Sequence, residues 1–129
     1  MRNIRNNSIL IVDDHINLRI ALRMMLEAEG ARVWEAGSVE DALTNLGKPY
    51  QWRVVICDFC LPDGNGLQIL EVMAERQEAS RVIMISGEDF MTAARESYSG
   101  QAFDFIEKPF DPEVLLASVS KLIEFNKIQ

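Results

Sequence analysis

Three aspartates, a serine and a lysine carry the chemistry open to this sequence: Asp13, Asp14, Asp58, Ser86 and Lys108. Carboxylates are hard oxygen donors and can act as nucleophiles, while a hydroxyl and an ammonium suit the oxygens of a phosphoryl group. Gathered in one place, three carboxylates repel. Two unit charges roughly 4 Å apart interact by about 4 kcal/mol at an effective dielectric near 20. Such a cluster persists by raising a pKa, by pairing with Lys108 or by binding a cation. Oxygen ligands that leave several waters in place favour Mg²⁺ or Mn²⁺. Shielded by such an ion, Asp58 can act as a nucleophile and form an acyl phosphate.

The case for gathering them rests on where they fall. Three short apolar runs, Ile9–Val12, Val54–Cys57 and Val82–Ile85, are rich in β-branched residues and too short for helices, as suits strands buried on both faces of a parallel sheet. Two mixed segments, Ala31–Ala36 and Ala102–Ile106, read as edge strands. Helical spacing fills the gaps. Residues 15–29 carry Leu18, Leu22, Met25 and Leu26, with Gly30 as a stop. Ser38 opens a second helix as its N-cap, although the acid three places on is Asp41 and not the preferred Glu. Residues 66–77 carry Leu67, Leu70, Met73 and Ala74, residues 89–98 form a weaker helix, and residues 112–126 follow an Asp111 cap and Pro112. This βα pattern, five times over, predicts an α/β three-layer sandwich with a five-stranded parallel sheet. Asp13 and Asp14 follow the first strand, Asp58 the third and Ser86 the fourth, while Lys108 lies two residues beyond the fifth. A parallel sheet brings all five to one edge, where ligands of such sheets bind.

Composition narrows the classes. The 129 residues fit one domain, with its core at about 8–124. Twenty acidic residues against thirteen basic ones, net −7, argue against direct nucleic-acid binding. No apolar run approaches the roughly 18 residues of a membrane span, and the polar start Met1–Asn7 is no signal peptide, so a cytoplasmic protein is expected.

Taken in order, Asp13-Asp14, Asp58-Phe59-Cys60-Leu61-Pro62-Asp63-Gly64-Asn65-Gly66, Ser86-Gly87 and Lys108-Pro109-Phe110 resemble the response-regulator receiver family, also called CheY-like, from about Ser8 to Ile123. The resemblance implies the flavodoxin-like strand order 2-1-3-4-5, which is known for that family. It implies a signalling switch and not a multiple-turnover enzyme. Asp58 would be the phosphoacceptor, and Asp14, Asp58 and the carbonyl of Cys60 would hold Mg²⁺, with Asp13 acting mostly through water. Ser86 and Lys108 would bind the phosphoryl group, and Lys108–Pro109 would be cis. Phe105 stands where a switch Tyr or Phe is usual, and Cys60 and Glu88 fall at positions that tune phosphoryl lifetime. The donor would be a histidine kinase or a phosphotransfer protein. The fourth helix, fifth strand and fifth helix would form the switched face, for dimerisation or output. Whether the chain is a fragment or stands alone is left open.

Other readings have less behind them. A receiver-like adaptor that is never phosphorylated would keep the same fold. Cys57-Asp58-Phe59-Cys60 has the spacing of a thiol oxidoreductase motif, but Cys57 continues a buried strand and the turn at Pro62-Asp63-Gly64 replaces the helix start that would activate a thiol. On the first helix, Ile16, Ile20 and Met24 recur at i, i+4 and i+8, about 180° from the core stripe at roughly 100° per residue, and are expected to form an exposed face for the phosphodonor.

Overall fold

The computed structural model describes residues 3–49, 51–87, 92, 96 and 102–127. Strands β1 (Ser8–Val12), β2 (Arg32–Ala36), β3 (Val54–Asp58), β4 (Val82–Gly87) and β5 (Asp104–Lys108) form one sheet in the order 2-1-3-4-5. All four pairings are parallel, as predicted. Helices α1 (Ile16–Ala28), α2 (Val39–Leu46) and α3 (Gly66–Glu75) and a C-terminal helix (Pro112–Lys127) cover the two faces. The predicted helix at 89–98 lies outside the described residues, apart from the helical Thr92 and Glu96.

Strand alternation divides the core in two. Ile9, Ile11, Val54, Ile56, Ile83 and Ile85 pack with Leu22 and Leu26 of α1 and with Leu115, Val119, Leu122 and Ile123 of the C-terminal helix. Their neighbours Leu10, Val12, Val55, Cys57, Val82 and Met84 pack with Ala42 and Leu46 of α2 and with Ile69, Leu70 and Met73 of α3. Both sets are buried, which explains why these strands read as continuous apolar runs. In α3 the core stripe is Ile69, Leu70 and Met73, and Ala74 is exposed, so the apolar face is turned slightly from the predicted one.

Two strand ends differ from expectation. β4 continues through Ser86 and Gly87, and β5 runs from Asp104 to Lys108 where 102–106 was predicted. Backbone pairing decides both: Ser86 aligns with Glu107 and Gly87 with Lys108, so polar side chains sit on a ladder that hydrophobicity cannot reveal. Ser86 and Lys108 therefore lie within the ends of their strands, as Asp58 does in β3, while Asp13 and Asp14 follow β1.

Local sequence sets the turns. Gly30 adopts φ +89° after α1, and the amide of Ala31 reaches the carbonyl of Leu26 at 3.1 Å, so the left-handed residue closes the helix. Ser38 caps α2 by accepting the amide of Asp41 at 3.1 Å. A second anchor was not legible in the sequence. After β3 the chain makes a hairpin, Cys60–Leu61 against Gly64–Asn65, and Asp63 at its tip accepts the amides of Val39 at 2.8 Å and Glu40 at 3.0 Å. The hairpin thus ties itself to the α2 N-terminus, where an anion is favoured. The amides of Glu40 and Val39 hold the Asp63 carboxyl below its usual range.

A depressed carboxyl contributes stability that is present above its unfolded pKa, about 3.9, and lost as pH falls through the folded value. In urea titrations from pH 7 downwards, Asp63→Asn is expected to cost stability at neutral pH and to flatten the acid limb. A variant whose acid limb matches wild type would contradict this.

Candidate phosphoryl-acceptor site

At the carboxyl edge of the sheet, Asp13 and Asp14 follow β1, Asp58 ends β3 and Lys108 ends β5. One carboxylate oxygen from each of Asp13, Asp14 and Asp58 lies within 4.8 Å of the others. Asp13 is fully buried, Asp58 is 6% exposed and Asp14 is open to solvent. The Lys108 Nζ bridges the two buried acids, donating to Asp13 Oδ2 at 3.0 Å and Asp58 Oδ2 at 2.9 Å. Three carboxylates against one ammonium leave two formal negative charges uncompensated. Hard oxygen donors with excess negative charge fit a divalent cation of the Mg²⁺ class. Among the described residues this is the one cluster of potential metal ligands.

Burial lifts the Asp58 carboxyl above its ordinary range, and the hydrogen bond and charge of Lys108 offset only part of that. Burial works against the charged form of Lys108, but its bonds to Asp58 and Asp13 outweigh this and hold the ammonium more firmly protonated than usual. Lys108 thus favours its charged form beside a carboxyl whose charged form burial disfavours.

The neighbouring backbone completes the frame. The His15 amide donates to Asp13 Oδ1 at 2.8 Å and the Cys60 amide to Asp58 Oδ1 at 3.3 Å. A β-carbon at Gly66 would come within 2.8 Å of Met84 Sδ and 3.2 Å of the Asp58 carbonyl. The missing side chain lets the hairpin and α3 fold tightly against β3, and the Gly66 amide donates to the Phe59 carbonyl at 2.8 Å. Above the acids lies a cleft of about 360 Å³ lined by Asp14, His15, Asp58, Cys60, Leu61, Pro62, Gly87 and Lys108.

The other predicted residues are distributed around this cluster. Ser86 is buried on the neighbouring strand, and its hydroxyl donates to the Gly87 carbonyl at 3.2 Å. Phe105 is half-buried, aligned with Met84 and packed against the α2–α3 side of the core. Lys108–Pro109 is cis, as expected. Glu88 lies outside the described residues. Ile16, Ile20 and Met24 are 59%, 46% and 67% exposed, a continuous apolar row on α1. Arg19, not singled out from the sequence, donates to the Asp13 carbonyl at 2.7 Å. One of two arginines on α1 gives no sign of a backbone partner.

The geometry disfavours thiol chemistry. Burial pushes the Cys57 thiol far above its ordinary range, with Asp58 and Asp13 adding to the shift. Burial and Asp58 also raise the exposed Cys60. Neither thiol sits in a setting that lowers its pKa, as an activated thiolate requires.

Residues 9–120 match the family model described as the response regulator receiver domain. The chain is 32% identical over 122 residues to the C4-dicarboxylate transport transcriptional regulatory protein DctD of Pseudomonas aeruginosa, covering 93% of this chain and 26% of that protein. It is 30% identical over 118 residues to the transcriptional regulatory protein SrrA of Staphylococcus aureus, covering 92% and 48%. It therefore spans about half or less of the length of these relatives. In fold it resembles a response regulator receiver domain protein from Clostridium thermocellum, with a TM-score of 0.87, 24% identity and coverage of 95% and 98%. The acidic edge, the strand order and these matches agree, and the chain belongs to the response regulator receiver domain family, the phosphorelay receivers of two-component signalling.

Proposed function

We propose that Asp58 is the phosphoacceptor and that Asp13, Asp14, Asp58 and the Cys60 carbonyl hold a divalent cation, Mg²⁺ or Mn²⁺, beside it. The observation that carries this reading is the convergence of the three carboxylates within 4.8 Å with Lys108 bridging two of them. When bound, the cation supplies charge neutralisation for the carboxylates and the incoming phosphoryl oxygens. An Asp58 oxygen attacks phosphorus in a phosphohistidine, the P–N bond breaks and the imidazole leaves. Lys108 is already within bonding distance of Asp58 and would follow the new phosphoryl oxygens. The Ser86 hydroxyl would exchange its Gly87 carbonyl partner for the phosphoryl group, and Phe105 would move into the space vacated.

That exchange biases a two-state equilibrium and remodels the face around β5 and the C-terminal helix, where dimerisation or a linked output domain would read it. Cys60 borders the cleft and, with Glu88, would set how long the acyl phosphate survives. The activity is a switch with slow metal-assisted self-phosphorylation and self-dephosphorylation. A cytoplasmic location accords with this role, and among the described residues no helix is long and apolar enough to cross a membrane.

The donor would be a histidine kinase or phosphotransfer protein docking on α1. An apolar groove of about 370 Å³ runs between Leu18, Leu22 and Met25 of α1 and Pro109 and Phe110, and it shares His15 and Lys108 with the acidic cleft. The exposed row Ile16, Ile20 and Met24, on the face of α1 turned away from that groove, would take the donor's helices.

Incubation with acetyl phosphate and Mg²⁺ is expected to add one phosphate to wild type and none to Asp58→Asn, read by intact-protein mass spectrometry. An unmodified wild type would instead favour the adaptor reading. Ile20→Glu is expected to slow transfer from a phosphohistidine protein at least tenfold while leaving the acetyl phosphate reaction unchanged. Equal transfer rates would remove α1 from the docking surface.

A further inference from the structure

Outside the acidic cleft, a chain of ion pairs reaches the main chain that carries Asp13. Arg19 Nε pairs with Glu35 Oε1 of β2 at 2.8 Å, and Arg19 Nη1 donates to the Asp13 carbonyl at 2.7 Å. Glu35 is gripped from the other side by Arg23 Nη1 at 2.8 Å. The Arg23 hydrogen bond, opposed by burial and joined by Arg19, holds the Glu35 carboxyl below its usual range, so the anchor stays ionised. Arg19 is 18% exposed and Glu35 22%, which makes this the more sheltered half of the network compared with Arg23 at 40%.

Space has been left for the guanidinium. A β-carbon at Gly37 would stand 3.0 Å from Arg19 Nη1, tighter than ordinary contact. The Asp13 amide donates to the Ala36 carbonyl at 3.0 Å, so β2 and Arg19 fix both sides of the same residue. From there the Asp13 side chain accepts the His15 amide, and Asp14 lies between these two fixed points.

We propose that Arg19 is a positioning residue for the acidic site: clamped by Glu35, its planar guanidinium fixes the peptide of Asp13 and so sets the placement of Asp13 and Asp14 for a divalent cation. This rests on the cation site described under Proposed function. A forked guanidinium can serve the carboxylate and the carbonyl together, whereas a lysine keeps the charge but not the two-point geometry. Residues that orient metal ligands from behind commonly change affinity by about 10–100-fold when removed.

Mn²⁺ binding, followed by the paramagnetic resonance of the free ion, tests the inference on the whole chain. Wild type should bind and Asp14→Asn should not. Arg19→Ala and Arg19→Lys should each weaken binding about tenfold, and Glu35→Gln by a smaller factor. In the metal-free protein, the His15 amide should exchange faster in both Arg19 variants while Val119 to Ile123 keep their protection, a pattern that general loss of fold would not produce. Wild-type affinity in Arg19→Lys would mean that charge alone matters, and a change below twofold in Arg19→Ala would remove any role; either overturns the inference and leaves the site standing. A wild type that binds no Mn²⁺ overturns the site and the inference together.

Discussion

Like charges forced together by a parallel sheet need a counter-charge, and at this edge that need is only partly met. Asp13 and Asp58 are buried with their oxygens near those of Asp14, and the single Lys108 ammonium spans two of the three. The pairing offsets part of the repulsion, yet it leaves the cluster negative and the Asp58 carboxyl lifted by burial. In the proposed reading, a divalent cation would supply the missing counter-charge. The proposed switch would follow from the same imbalance, because an acyl phosphate on Asp58 would change both the charge there and what Lys108 must neutralise.

The surroundings act on geometry more than on energy. Gly66 lets α3 and the hairpin close against the Asp58 backbone, Asp63 ties that hairpin to α2, and the Cys60 and His15 amides orient the two buried carboxylates. Each of these hydrogen bonds adds little to the stability of the whole fold. Their common effect is to hold acidic side chains where their own repulsion would otherwise spread them.

Much of this was legible in the residues. The βα alternation and the acids after Val12 and Cys57 were enough for the sheet, its faces and the shared edge, because buried parallel strands and a polar carboxyl edge leave strong one-dimensional patterns. The strand order came from resemblance to known receivers. The extent of β4 and β5 was not legible, since Ser86, Glu107 and Lys108 join the ladder through their backbones. Arg19 and Asp63 were missed for a related reason: each bonds main-chain groups brought near by the fold, and side-chain identity does not announce a backbone partner.

Thermal melting against Mg²⁺ concentration, for wild type beside Asp14→Asn, tests the central claim most directly. If three acids crowd one lysine, neutralising the exposed acid should raise the melting temperature without metal. Mg²⁺ should stabilise wild type, by about 2.7 kcal/mol at a hundred times its dissociation constant, and barely move the variant. A wild type indifferent to Mg²⁺, or an Asp14→Asn chain that melts lower than wild type in its absence, would contradict the account.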